Sequence, residues 1–300
     1  MLINAINALP STERGITLVD IGAAGDIEPR WKKIASVLNY IGFEPDARSR
    51  SALMQKPNQC RTFEIHPYAI GAISGEIPIN LCRKPMASSP FLPNRSFVDL
   101  FPDASRFDVV GTETLPAKRL GDLSIADPDF IKLDIQGGEL RALEGAEEAL
   151  ANTIGLEVEV EFSRMYLGQP LFGDISAFLQ QRGFEFMDFV SLYRWERKEF
   201  NDGGQCVFGD ALFMRAPEWV ATKDISVVSK YLTLCVLYRR FDIMSRALEL
   251  LTPERRAVFD KFLDALKPAL RRHNLIRSAN RRWNSALRWA SPDYRAHIIH

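Results

Sequence analysis

A chain of 300 residues with 46% apolar content is long enough to bury a full core and too apolar to be disordered over most of its length. Four widely spaced cysteines without a Cys-x-x-Cys pair give no basis for a disulfide framework or a zinc knuckle, and they fit a reducing cytoplasm. The net charge of zero conceals a split, because residues 221–300 hold 16 Lys and Arg against 7 Asp and Glu, and the first 220 residues carry the opposite excess.

The segment Met1 to Arg14 lacks a basic stretch followed by a long apolar run, and the longest apolar stretch elsewhere, Tyr231 to Tyr238, is too short to cross a bilayer. The expectation is a cytoplasmic protein, peripheral at the inner membrane face if its basic end binds lipid.

From residue 16 to about 215, short β-branched or apolar runs alternate with helix-period segments, the pattern of parallel strands joined by crossover helices. Strands are predicted near 17–21, 40–44, 62–66, 77–82, 108–116, 129–134, 154–162, 185–193 and 206–214, and helices over 28–38, 47–55, 138–150 and 173–182. Gly183 stands where a helix C-terminal glycine belongs. Asn201-Asp202-Gly203-Gly204 reads as a hairpin connection, so the strand 206–214 is expected to close the sheet antiparallel. The stretch Pro85 to Asp108, rich in Pro, Ser and Asn, reads as a long binding loop. Beyond Pro217 the helical period takes over, with Asp242 to Leu251 and Pro253 to Leu270 as helices. The division is therefore a domain over 1–217 and a helical basic extension over 218–300.

Three of the strands end in a carboxylate. Leu18-Val19-Asp20-Ile21-Gly22-Ala23-Ala24-Gly25 runs into a small-residue turn, Tyr40-Ile41-Gly42-Phe43-Glu44-Pro45 ends in Glu44, and Phe130-Ile131-Lys132-Leu133-Asp134-Ile135-Gln136-Gly137-Gly138-Glu139-Leu140 delivers Asp134 to glycines at a helix start. In an open α/β sheet the ligand sits beyond the carboxyl ends of the strands. The 22-residue step from Gly22 to Glu44 is the distance at which a second-strand carboxylate accepts hydrogen bonds from a ribose, so an adenosine-containing cofactor is expected. A dinucleotide needs Gly-x-Gly-x-x-Gly to seat its pyrophosphate. Here Asp20 and Asp26 bracket Gly22-Ala23-Ala24-Gly25, a pattern that repels a pyrophosphate and suits the sulfonium and ammonium of S-adenosylmethionine.

These residues resemble the FkbM-type methyltransferases, S-adenosylmethionine-dependent enzymes of the class I fold. Val19-Asp20-Ile21-Gly22-Ala23 looks like the family's first motif and Gly42-Phe43-Glu44-Pro45-Asp46 like its second. Ala69-Ile70-Gly71 with Ser74-Gly75-Glu76, the Ser88-Ser89 loop, and Phe130 to Leu140 with Leu143-Glu144-Gly145-Ala146 resemble its later segments. Two positions depart: Asp26 stands where a glycine is usual, with Gly25 one place earlier, and Gln136 stands where Glu is usual.

The resemblance implies a doubly wound, Rossmann-like, mostly parallel seven-stranded sheet with an antiparallel closing strand. It implies that Asp20, Gly22, Ala23, Gly25, Glu44, Pro45 and Ala69 border S-adenosylmethionine, with Asp134 as the catalytic residue and Ser88, Ser89, Gln136 and Glu159 toward the acceptor. The implied reaction is O-methylation of a hydroxyl on a sugar, glycan precursor or secondary metabolite, with no nucleic acid partner. A degenerate module that binds a partner through its basic end, and a nicotinamide-dependent oxidoreductase, are the competing readings.

Leu156-Glu157-Val158-Glu159-Val160-Glu161-Phe162 alternates strictly, which puts three glutamates on one face of a strand that ought to be covered. That face must meet water, basic partners or the site. Asp134 and Glu159 would be the ligands of a divalent ion if one is used; otherwise no metal site is expected. Finally, Leu275, Ile276, Ala279, Trp283, Ala286, Leu287 and Ala290 recur at three- and four-residue steps among arginines, an amphipathic helix that packs on the body, on a second subunit, or lies on a membrane through residues 270–290.

Overall fold

The structure, a computed structural model, describes residues 2–10, 15–123, 125, 127–197, 203–268 and 270–271. Ten strands are present among them: β1 (Ile16–Ile21), β2 (Leu38–Phe43), β3 (Thr62–His66), β4 (Ala69–Ile70), β5 (Gly75–Cys82), β6 (Val109–Lys118), β7 (Phe130–Leu133), β8 (Gly155–Glu161), β9 (Phe184–Trp195) and β10 (Gln205–Arg215). Seven form one sheet in the order β3-β2-β1-β7-β8-β10-β9, parallel except for β10. This is the class I methyltransferase arrangement, with β10 inserted antiparallel beside β8.

The central strands read as continuous apolar runs because both faces are covered: every residue of β1 and of β8 is buried. One face packs Val19, Ile21, Ile41, Ile131, Leu133, Val158 and Val160 against Ala142, Leu143, Ile175 and Leu179. These last residues come from the helices Glu139–Glu144 and Phe172–Gln180. The opposite face carries Leu18, Tyr40, Phe130, Leu212 and Met214, and its cover is largely C-terminal. Val228, Tyr231, Leu232, Met244, Leu248, Phe259, Phe262 and Leu266 lie in the same hydrophobic cluster as β1.

Local chemistry sets the helix ends. Asp46 caps Ala47–Met54 by accepting from the Arg48 amide at 2.7 Å, and Asp224 caps Ile225–Leu237 through the Val227 amide at 2.9 Å. Gly183, at φ +78°, follows Phe172–Gln180 as expected of a left-handed stop.

Four expectations are corrected. The helix over 28–38 is only Pro29–Lys32 followed by a 3₁₀ turn, Ala35–Val37, and that over 138–150 breaks at Gly145 and Ala146 into Glu139–Glu144 and Glu147–Leu150. At the break the Gly145 Cα lies so close to the Gly71 carbonyl that a Cβ would sit 2.0 Å from its oxygen, so only glycine fits there. The strands near 77–82 and 108–116 do not join the main sheet but pair with each other and with β4 in a second, three-stranded sheet. Residues 85–108 carry short turns of helix at Pro85–Ala87, Arg95–Val98 and Ala104–Phe107, and Val98 and Phe107 anchor them in a separate apolar cluster with Tyr166 and Val207.

Among the described residues no helix is long and apolar enough to cross a membrane. The amphipathic pattern from Leu275 to Ala290 lies outside the described residues.

Candidate active site

The turn after β1 brings three strand ends together. Gly22 sits at φ +89°, and the amides of Gly22 and Ala23 both donate to the Phe43 carbonyl at 3.0 Å, tying the turn to β2. A Cβ on Gly22 would stand 2.1 Å from the Asp134 carbonyl oxygen, so the absent side chain is what lets β7 pass. Gly25, at φ +93°, differs: a Cβ there would meet nothing within 4 Å, which leaves the second glycine facing open space.

The acids around this turn carry less free charge than the sequence suggests. Lys32 donates to Asp26 at 2.6 Å and holds its carboxyl below the ordinary range, while Lys56 donates to the Gly25 carbonyl at 2.7 Å. Asp20 is buried on the opposite side of the turn. Its Oδ2 accepts from the Tyr40 hydroxyl at 2.7 Å, and its Oδ1 has no hydrogen-bond partner among the described residues.

Glu44 is buried at the end of β2, with its carboxylate accepting from the Asp46 amide at 2.8 Å. Burial raises its pKa, opposed by that amide. Arg50 donates to the carbonyls of Glu44 and Pro45 at 2.9 and 3.0 Å and fixes the strand exit. Ala69 is not at a strand end of the main sheet: it lies in β4, paired with Ala117 of β6.

Lys132 joins the acids at the ends of β1 and β7. It stands between Asp20 and Glu157 in cross-strand register, and its Nζ lies 3.7 Å from Asp20 Oδ1 and 3.8 Å from Asp134 Oδ2. Although burial opposes its charge, these carboxylates raise the ammonium pKa well above its ordinary value. The Asp134 side chain is 41% exposed, so it reaches the crevice while Lys132, at 14%, does not.

Beyond Asp134 the chain turns through Gln136 (φ +57°) and Gly137 (φ +96°). The turn is held from three directions: Ser89 Oγ donates to the Gln136 carbonyl at 2.7 Å, Glu139 accepts from the Ile135 amide at 2.7 Å, and Gln136 Nε2 donates to Glu159 Oε2 at 2.8 Å and to Asp134 Oδ1 at 3.2 Å. The amide at position 136 thereby bridges two carboxylates, a task that a third carboxylate at the same place cannot do. Ser88 takes no part, since its hydroxyl accepts from the Cys82 amide in the second sheet.

A family model described as the methyltransferase FkbM domain matches residues 24–186. The chain belongs to this family of S-adenosylmethionine-dependent methyltransferases. The FkbM match begins within the glycine turn, so Asp20 and Gly22 lie just ahead of it, and it runs to the start of β9. Among solved structures, the chain is similar to methyltransferase FkbM from Methylobacillus flagellatus (16% identity, 67% of this chain, 44% of that one, TM-score 0.39). It is also similar to magnesium protoporphyrin IX methyltransferase from Synechocystis, solved with bound SAM (10% identity, 71% of this chain, 74% of that one, TM-score 0.35). The third is a TehB-like SAM-dependent methyltransferase from Corynebacterium glutamicum (19% identity, 71% of this chain, 86% of that one, TM-score 0.32). The match spans less than half of the Methylobacillus protein. No curated protein matches the chain.

In this FkbM chain the three glutamates of β8 are all buried and have three different environments. Glu157 accepts from the Tyr238 hydroxyl at 2.6 Å and lies 3.5 Å from Arg30, yet burial and the Glu28 charge push its pKa up to about 7. Glu159 meets the Gln136 amide. Both Glu161 oxygens lack a hydrogen-bond partner among the described residues; the Gln169 amide nearby eases its charge without reaching bonding geometry. No group of three His, Cys, Asp or Glu among the described residues is arranged to hold a metal, and Asp134 and Glu159 are bridged by an amide instead.

Sequence reasoning overlooked Lys132, Tyr40, Tyr238 and Asp210. The signal for Lys132 was present, a lysine inside an otherwise apolar strand, which is rare without partners. Tyr238 carried no such signal, because its contact with Glu157 spans 81 positions.

Proposed function

We propose that the chain O-methylates a hydroxyl on a sugar, glycan precursor or secondary metabolite. The observation that carries this reading is Asp134: a carboxylate at the end of β7, open to the crevice, oriented by Gln136 on one oxygen and faced by Lys132 on the other.

The residues present fit the cofactor. Gly25 leaves the turn open, Asp20 holds a carboxylate beneath it beside Lys132, and the place of Glu44 at the end of β2 supports its reading as the group that accepts from the ribose hydroxyls. When bound, S-adenosylmethionine supplies a methyl group on a sulfonium. Asp134 would take the proton of the acceptor hydroxyl as the hydroxyl oxygen received the methyl group, with S-adenosylhomocysteine as the leaving group. General-base help of this kind contributes about 10²–10⁴-fold, and alignment of the two reactants contributes about 7–11 kcal/mol in favourable cases.

Calorimetric titration with S-adenosylhomocysteine, with NAD as control, tests the assignment. Binding of the first alone, lost in Glu44→Ala, is the expected result; binding of NAD instead would sink it.

A further inference from the structure

We propose that the acceptor carries a protonated amine beside the hydroxyl that is methylated, as in an amino alcohol or amino sugar, and that Asp210 and Glu159 receive it. The inference rests on the methyltransferase reading above.

Asp210 of β10 and Glu159 of β8 are directly opposite each other in the antiparallel register, on the same sheet face as Asp134. Like charges in that position repel, and burial worsens the repulsion. Neither has a cationic partner within ion-pair distance among the described residues. The partners they do have are neutral: Ser191 Oγ donates to Asp210 and Gln136 Nε2 to Glu159.

The two nearest cations are committed elsewhere. Arg30 lies 3.0 Å from Glu28 and 3.5 Å from Glu157, and Lys132 lies between Asp20 and Asp134. A second, independent feature points the same way. Glu161, two residues beyond Glu159 on that face, is fully buried, with neither oxygen in a hydrogen bond among the described residues despite the nearby Gln169 amide, and it is close enough to raise the Glu159 pKa. Eight carboxyl groups, Asp20, Glu28, Asp134, Glu139, Glu157, Glu159, Glu161 and Asp210, thus share this region with two cations, Arg30 and Lys132. Burial and the neighbouring acids push several of these carboxyls toward the protonated form, whereas a cationic ligand between Asp210 and Glu159 lets that pair ionise and sets its neighbouring hydroxyl near Asp134.

The test uses a minimal pair on the full chain, with and without saturating S-adenosylhomocysteine. Melting is followed in ethanolammonium chloride, in ethylene glycol with sodium chloride at the same ionic strength, and in magnesium chloride. Ethanolammonium is expected to raise the melting temperature saturably while the glycol does not. Asp210→Asn is expected to weaken that response roughly ten- to a hundredfold, the value of a charged hydrogen bond. Without ligand the same variant is expected to melt above the wild type, because a repulsive pair is gone.

Equal effects of the amine and the glycol would overturn the proposal, as would a larger response to magnesium, which assigns the site to a divalent ion. A lower melting temperature for ligand-free Asp210→Asn would show that the acids serve the fold. Failure of S-adenosylhomocysteine to bind, with the ethanolammonium response intact in the free chain, would remove the methyltransferase reading and leave the amine site standing.

Discussion

The Tyr40 hydroxyl donates to Oδ2 of Asp20 at 2.7 Å, across the β1–β2 pair and beneath the glycine turn. Both groups are buried, and the bond leaves Oδ1 facing the Lys132 ammonium at 3.7 Å. Tyr40→Phe is therefore expected to destabilise the fold by about 1–3 kcal/mol, the cost of an orphaned buried acceptor. Urea unfolding measures this, and S-adenosylhomocysteine titration should show weaker binding as Asp20 loses its fixed orientation.

Lys132→Met tests the ion triad. Removing the ammonium leaves Asp20 and Asp134 facing each other without compensation, and loss of one member of a buried ion group costs about 3–5 kcal/mol. Unchanged stability in chemical denaturation would show that the lysine is dispensable to the site.

Gly22 and Gly25 are expected to respond differently to alanine. At Gly22 the new Cβ collides with the Asp134 carbonyl, so the loss should exceed the roughly 1–3 kcal/mol of left-handed strain alone. At Gly25 the methyl meets no protein atom, so the fold should survive with the strain cost while S-adenosylhomocysteine affinity falls. Thermal melts paired with calorimetry distinguish the two.

Glu139 and Glu157 both have pKa values pushed up to about 7 by burial, from an ordinary 4.5. The folded chain thus binds their protons more tightly than the unfolded one, and the stability this provides is present below about 4.5 and lost as pH rises through about 7. The protein is expected to be more resistant to denaturant at pH ~5.5 than at pH ~7.5. Glu157→Gln should flatten that slope; a slope of opposite sign would show that the two carboxylates are ionised when buried.

Much of the fold was legible because local signals agreed. The strand near 62–66 is found at Thr62–His66, and the helices over 47–55 and 173–182 end within two residues of expectation, each with a cap or stop residue to mark it. What periodicity did not reveal was partnership. Nothing in Gly75–Cys82 or Val109–Lys118 says that they pair with each other rather than with the main sheet. The same limit applied at the site. Asp20, Glu44 and Asp134 were legible as strand-end acids, whereas the roles of Gln136, Lys132 and Asp210 depend on neighbours brought in by register. Ser88 and Ser89, adjacent and identical in the sequence, separate by direction: one serves the second sheet and the other the motif turn.

The cover of β1 has a consequence for the order in which the chain can fold. Leu18 shares its cluster with Phe259, Phe262 and Leu266, and Lys230 donates to the same Asp129 carboxylate that accepts from the Thr17 amide. β1 therefore waits for almost the last described helix before its inner face is dry. Contacts so distant in sequence form slowly and leave apolar surface exposed meanwhile. A chain ending near residue 217 holds every strand of the sheet and the N-terminal cover of Ala5, Ile6, Trp31 and Leu53, yet lacks the C-terminal helices that supply most of this face's apolar partners.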